Sequence, residues 1–313
     1  VLKLVARRAL TTVPALLGVM LVALLLLELM PGDPAEIMAG ENATPEAVEA
    51  IRHDLRLDQP LWERFGRYAW GVVQGDLGRS PGSDIAVWER ISTALPVTLS
   101  LGGLALSLAV LVAVPAGTWA ALRRGRWADR AVAATASVMQ AVPPFVIGLA
   151  LVIAFAVDRS WFPANGFVPF EEDPWEWFRH LVLPASALAL SAAAELARQT
   201  RGALVDTFEQ DYIRAVRAKG MRERWVIGKH AAKNAATPVV TVLGLQVGRI
   251  LGGAVVVELI FGMHGFGALA LNAVVTRDIV LIQGVVLVSA IAVLLANLAV
   301  DILYGYFDPK VRV

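Results

Sequence analysis

The residues able to do chemistry are few, and they stand in oily company. Arg249 lies about midway through the run VLGLQVGRILGGAVVVE, where a guanidinium costs at least about 2.5 to 3.5 kcal/mol unless it meets water or an acid. Glu195, Gln246, Asn297 and Asp301 are further polar groups in or near apolar runs, and Glu258 opens the following ELIFGMHGFG stretch. Isolated polar groups in such surroundings line or gate a path for a polar solute, or couple its movement to an ion. The structural alternatives are an ion pair between Arg249 and a second chain, and for Glu258 a marker of the membrane boundary.

Catalysis and cofactor binding lack their usual residues. The chain holds no GxxxxGK[ST] phosphate loop and no HExxH pair. Its cysteine count of 0 removes disulfides, thiolate chemistry and cysteine-held metals. His53, His180, His230 and His264 form no ligand pair by spacing. The expectation is a chain that is not an enzyme and holds no cofactor or metal.

The elements that position these groups are set by hydrophobicity. Hydrophobic residues at 57% against 18% charged place this chain of 313 residues in a membrane. Crossing a hydrocarbon layer of about 30 Å takes about 20 apolar residues in a helix, and six runs qualify: about 9–30, 96–122, 131–157, 181–203, 235–260 and 279–306. The first run also has the basic start of a signal peptide, but it is long for one and ends in ELMPGDPAE with no small-x-small cleavage pattern.

Lys3, Arg7 and Arg8, then Arg123, Arg124, Arg126 and Arg130, then Arg198 through Lys233, load alternate connections with positive charge, while the opposite ones are acidic or sparse. The loaded ends face the cytoplasm, which puts both termini inside. The reading is an all-α membrane protein of six transmembrane helices. It forms one embedded domain over 1–313, with an extracytoplasmic helical insert at about 31–94 and a cytoplasmic loop at about 204–237. No internal repeat is visible.

That cytoplasmic loop, DYIRAVRAKGMRERWVIGKHAAKNAATP at 211–238, carries an apolar stripe (Leu204, Val205, Phe208, Tyr212, Ala215, Val216) beside Arg214 and Arg217. Trp225, Val226, Ala232 and Ala236 continue it among Arg222, Arg224, Lys229 and Lys233. Helices this short cannot bury an apolar face on themselves and need a partner surface. A loop that merely fixes topology and rests on headgroups is the plain alternative.

The same stretch resembles the cytoplasmic EAA loop of ABC importer permeases, in the version found in the dipeptide, oligopeptide and nickel branch. PGDPA at 31–35, LDQP at 57–60, GDLGRS at 75–80, LPVTLSL at 95–101, WADR at 127–130, HLVLPA at 180–185, LGGAVVVELIFG at 251–262 and NLAVDILYGYFDPKVR at 297–312 resemble further segments of that branch in order and spacing. The resemblance implies the type I importer permease fold in a prokaryotic inner membrane. It also implies a second homologous permease, two ABC ATPase subunits and an external substrate-binding protein as partners, with a di- or oligopeptide as substrate. Nickel or another small solute is the alternative; a secondary carrier coupled through Arg249 and Glu195 is the rival from another class.

By the same resemblance, the ATPase-coupling motif is carried by Tyr212, Arg214, Ala215, Ala218, Lys219, Gly220, His230, Asn234 and Pro238. Gly220 is expected to end the first coupling helix, and Pro238 to sit in the first turn of the fifth span. The motif's name-giving Glu is Arg214 here, its second Ala is Val216, and Thr237 stands where a Leu often precedes the Pro. Arg249, Gln246, Glu258 and Glu195 are the pathway or gate candidates. Gly244, Gly248 and Gly252, spaced four apart, mark a face for close helix packing.

Overall fold

The computed structural model describes residues 2–28, 33, 35, 36, 44–54, 56–80 and 83–307. The side chains of Lys3, Arg7 and Arg8, most of PGDPA, and the DPKVR end of the last quoted segment lie outside the described residues.

The described chain is almost entirely helical. In order, the elements are α1 (Leu2–Glu28), α2 (Pro45–Asp54), α3 (Leu61–Val73), α4 (Val87–Leu122), α5 (Trp127–Ala141) and α6 (Pro144–Leu151), the last prolonged by a π-turn over Val152–Val157. Then come α7 (Pro174–Phe208), α8 (Asp211–Ala218), α9 (Glu223–Ile260, with a π-turn over Val226–Ala231), α10 (Phe266–Val275) and α11 (Ile279–Phe307). The insert contributes α2 and α3, as its helical spacing predicts.

Among the described residues four helices are long and apolar enough to cross a membrane, over Val87–Leu122, Pro174–Phe208, Glu223–Ile260 and Ile279–Leu303. Counting α5 and α6 as one bent span makes five. The first expected run falls on α1, whose described apolar stretch is Thr12–Leu25.

Two expectations are corrected. The run at 131–157 is not one straight span: α5 and the helix after it meet at 96°. Val142 and Pro143 both have extended backbone, ψ 123 and 141, because a proline bars the helical conformation from the residue before it and here two follow in succession. Pro238 is not in a first turn either. The second half of the loop is already helical from Glu223 and runs without a break into the span, so Pro238 stands inside α9.

The chain divides into two compact units, residues 1–97 with 264–295, and residues 98–263 with 296–313. In the first, Met20, Leu77, Val87, Ile91, Leu281 and Leu287 are among the buried core. Gly284 abuts Val87 so closely that an added Cβ would collide with it. Asp278 caps α11 by accepting from the Leu281 N–H at 3.1 Å, and it also takes the Ser80 hydroxyl and pairs with Arg90 at 3.3 Å.

In the second unit the alanine-rich α7 is the central helix and packs against α5, α6 and α9. Asp173 caps it, accepting from Trp175 and Glu176 N–H at 2.8 and 3.1 Å ahead of Pro174. Alanines and glycines let neighbours approach where lipid provides no hydrophobic drive between helices: a Cβ on Gly117 would lie 2.5 Å from the Ala197 carbonyl oxygen.

Candidate coupling and gating sites

α8 and the start of α9 fold onto each other through Ile213, which is fully buried with Val226, Ala231, Ala235 and Leu204. The turn between them needs a left-handed residue, and Gly220 supplies it at φ +76. Arg217 spans the turn to Glu223 at 2.5 Å and lies over the Phe208 ring at 5.2 Å.

Three of the coupling residues meet at one node. The Asn234 amide donates to the Tyr212 hydroxyl at 2.6 Å and to the His230 carbonyl at 3.0 Å. The Tyr212 hydroxyl itself reaches the His230 carbonyl at 3.5 Å. His230 Nε2 is buried and has no hydrogen-bond partner among the described residues. His230 lies within the π-turn over Val226–Ala231 and contributes its backbone carbonyl to the node.

Arg214, Ala215, Ala218, Lys219 and Gly220 are exposed, and Arg214 pairs with its helix neighbour Asp211 at 3.3 Å. The surface they form is therefore cationic at its edges, small-residued at its centre and rigidly backed by the apolar cluster beneath. Such a surface can seat in a groove of acceptors. Pro238 is half-buried within α9, away from this face.

The polar groups inside the spans also converge. Glu195 of α7 takes an ion pair from Arg249 and a hydrogen bond from the Gln246 amide at 2.9 Å, both from α9. Gln246 and Arg249 lie three apart on α9, hence on one face. Gln246 is buried, whereas the Arg249 side chain is 59% exposed and that of Glu195 27%. One carboxylate thus carries a buried amide and a guanidinium that opens outward from this chain.

Glu258, also on α9, has 0% exposure and accepts the Thr98 hydroxyl. Of the glycines on α9, Gly244 presses on Val300, while a Cβ on Gly248 or Gly252 would meet nothing within 4 Å among the described residues. Gly248 and Gly252 are exposed in this chain, as is Arg249 between them.

Sequence reasoning missed a further pairing. Asp129, which is buried, binds Arg201 through both carboxylate oxygens, one of them at 2.8 Å, and also accepts the Gly125 N–H at 2.9 Å. Arg124 pairs with Glu209 close by in the fold. The connection 123–126 that reads as a simple topology signal is thereby fastened to the end of α7 that leads into the loop. The signal available was the lone acid in WADR, set among four arginines.

The family described as binding-protein-dependent transport system inner membrane component matches residues 113–313, and its N-terminal counterpart matches residues 1–102. A peptide transport system permease protein of Brucella abortus is 41% identical over 309 residues, covering 99% of this chain and 98% of its own length. The glutathione transport system permease protein GsiC of Escherichia coli is 39% identical over 311 residues, covering 99% of both. Among solved structures, an inward-facing conformation of the MetNI methionine ABC transporter shares the fold, with a TM-score of 0.58 at 17% identity over 70% of this chain and 96% of that one.

Proposed function

This chain belongs to the family of binding-protein-dependent transport system inner membrane components, and from that premise we propose that it is the permease subunit of an ATP-driven importer of short peptides. Its relatives named for peptide and for glutathione transport, aligned over nearly their whole length, support the substrate class over nickel. A second, similar permease completes the path, an external binding protein delivers the peptide, and two ATPase subunits supply ATP and Mg. The chain crosses the membrane six times with both termini in the cytoplasm, as one domain over 1–313. It carries an outer insert at about 31–94 and a coupling loop at about 204–237.

The observation that carries the coupling role is the α8 surface. Tyr212, His230 and Asn234 tie α8 to α9, so a push on Arg214, Ala215, Ala218, Lys219 or Gly220 reaches the span directly through a continuous helix. Pro238, within α9, makes that helix easier to bend without breaking the connection. ATP binding drives transport because the ATPases have different affinities for the inward-facing and outward-facing states. In the span, Glu195, Gln246 and Arg249 form the gate, with Glu258 holding its outer end through Thr98. Gly248 and Gly252 provide the close approach to the second permease, and Gly244 the approach within the chain.

The test is to tag the chain, extract the complex gently and identify what co-purifies, beside a Gly220→Pro variant. Proline fixes φ near −65°, against the observed +76. The parent should carry an ATPase and a second permease, and the variant should insert, keep the second permease and lose the ATPase. A variant that retains the ATPase overturns the coupling role.

A further inference from the structure

A cavity of about 260 Å³ opens in the first unit, and its lining is divided by chemistry. Among the described residues, the lining includes the guanidiniums of Arg56, Arg64 and Arg67, the carboxylate of Asp76 and the Tyr68 side chain. The rest of the wall includes Leu24 near the end of α1 and Ile279, Val280 and Gln283 in the first turns of α11. The cationic part comes from the insert and the apolar part from the ends of two spans.

Asp76 is already engaged, accepting the Gly78 N–H at 2.9 Å, and Arg67 donates to Gln59 at 2.7 Å. Arg56 and Arg67 are the exposed cations of the wall, whereas Arg64 is only 8% exposed. Tyr68 donates to the Gln283 carbonyl at 3.3 Å and Gln283 to the Ala23 carbonyl at 3.4 Å, which fixes α3 at the level of the span ends.

The outer side of α3 fits the same level. Its apolar arc begins on Phe65, Tyr68, Ala69 and Val72, which pack on the core, and continues around the helix to Trp62, Trp70 and Val73. These last three are 74, 63 and 76% exposed, while Glu63, Arg64 and Arg67 occupy the opposite arc. Tryptophan on such a helix favours the headgroup boundary.

We propose that this cavity is a binding site for the phosphate of an anionic phospholipid in the outer leaflet, held by Arg56 and Arg67 while its acyl chains run down over Leu24 and Val280. Guanidiniums bind phosphate oxygens by paired, charge-assisted N–H donation, and a lipid is the phosphate source whose remainder matches an apolar wall at the membrane edge. The outer-leaflet assignment rests on the topology proposed above.

The experiment places the whole complex in nanodiscs of mixed phosphatidylglycerol and phosphatidylcholine and counts retained lipids by native mass spectrometry, for the parent and for an Arg56→Gln/Arg67→Gln variant that spares the buried Arg64. The parent should retain a phosphatidylglycerol that the variant loses, with phosphatidylcholine unchanged and no displacement by millimolar inorganic phosphate. Equal phosphatidylglycerol counts overturn the site. Displacement by inorganic phosphate overturns the lipid as its occupant and leaves a free-anion site. The orientation is read separately: the chain has 0 cysteines, and Gly66 on the exposed side of α3 faces open space, so Gly66→Cys should react with an impermeant maleimide from outside. Labelling only from the cytoplasmic side overturns the topology and the choice of leaflet, whatever the lipid count.

Discussion

Glu195 answers for two side chains at once, so its replacement and that of Arg249 should not be equivalent. Glu195→Gln leaves a guanidinium in the span without its acid and Gln246 with a weaker acceptor, whereas Arg249→Gln leaves a carboxylate that still holds Gln246. The pair's own coupling is the non-additive part of the two single-variant effects. A double-mutant cycle on thermal unfolding of the purified complex measures it. Glu195→Gln is expected to lower peptide uptake more than Arg249→Gln, and the double variant to recover part of the loss. Equal and additive effects would show that the three groups do not act together.

At the same scale, Tyr68 gives a pH signature outside the spans. Burial pushes its phenol up to about 12 from 10.0. Between those values the unfolded chain gives up a proton that the folded insert keeps, so the contribution is full below pH 10 and is lost as pH rises toward 12. The difference absorbance titration of parent minus Tyr68→Phe should have its midpoint near 12, and a midpoint near 10 would mean that the α3 packing opens in solution. The polar residues of the spans were all visible in the sequence as exceptions to an apolar rule, yet their pairing was not. Glu195 and Arg249 are separated by 54 residues, and only the packing of α7 on α9 makes them neighbours.

Glycines spaced alike along one helix do different work. A Cβ on Gly244 collides with Val300, but one on Gly248 or Gly252 meets nothing within 4 Å among the described residues. Gly244→Leu should therefore damage the subunit itself, at a cost of about 1 to 3 kcal/mol as overpacking does, read as lower expression and a lower Tm. Gly248→Leu should leave the separated subunit's Tm unchanged and reduce recovery of the second permease on purification. If both variants behave alike, the open glycines are not an assembly face. Helix positions were legible because hydrophobic runs and charge fix where a chain must cross. Two features were not. The proline pair at 143–144 sits inside an unbroken apolar run, so hydropathy hides the 96° bend. At Pro238 the local preference for a first turn lost to the apolar cluster around Ile213 and Val226, which holds the upstream segment helical.

For the molecule at work in its complex, the question is where the energy enters. An ion-coupled carrier would draw it through coupling residues in the membrane, and Glu195 with Arg249 are the pair to serve. A permease driven by ATPases draws it through differential affinity at a cytoplasmic surface, and the exposed α8 face backed by the Tyr212–Asn234 bond is built for that. The two schemes part in proteoliposomes holding the complete complex. With ATP inside and binding protein outside, peptide uptake should persist when a protonophore collapses the gradient. Without ATP, an imposed proton gradient should drive none. A Tyr212→Phe variant keeps the ring but weakens the node, so it should lower the number of peptides moved per ATP hydrolysed more than it lowers ATPase binding. Uptake driven by the gradient alone, or a Tyr212→Phe variant with unchanged stoichiometry, would locate the energy input away from the loop.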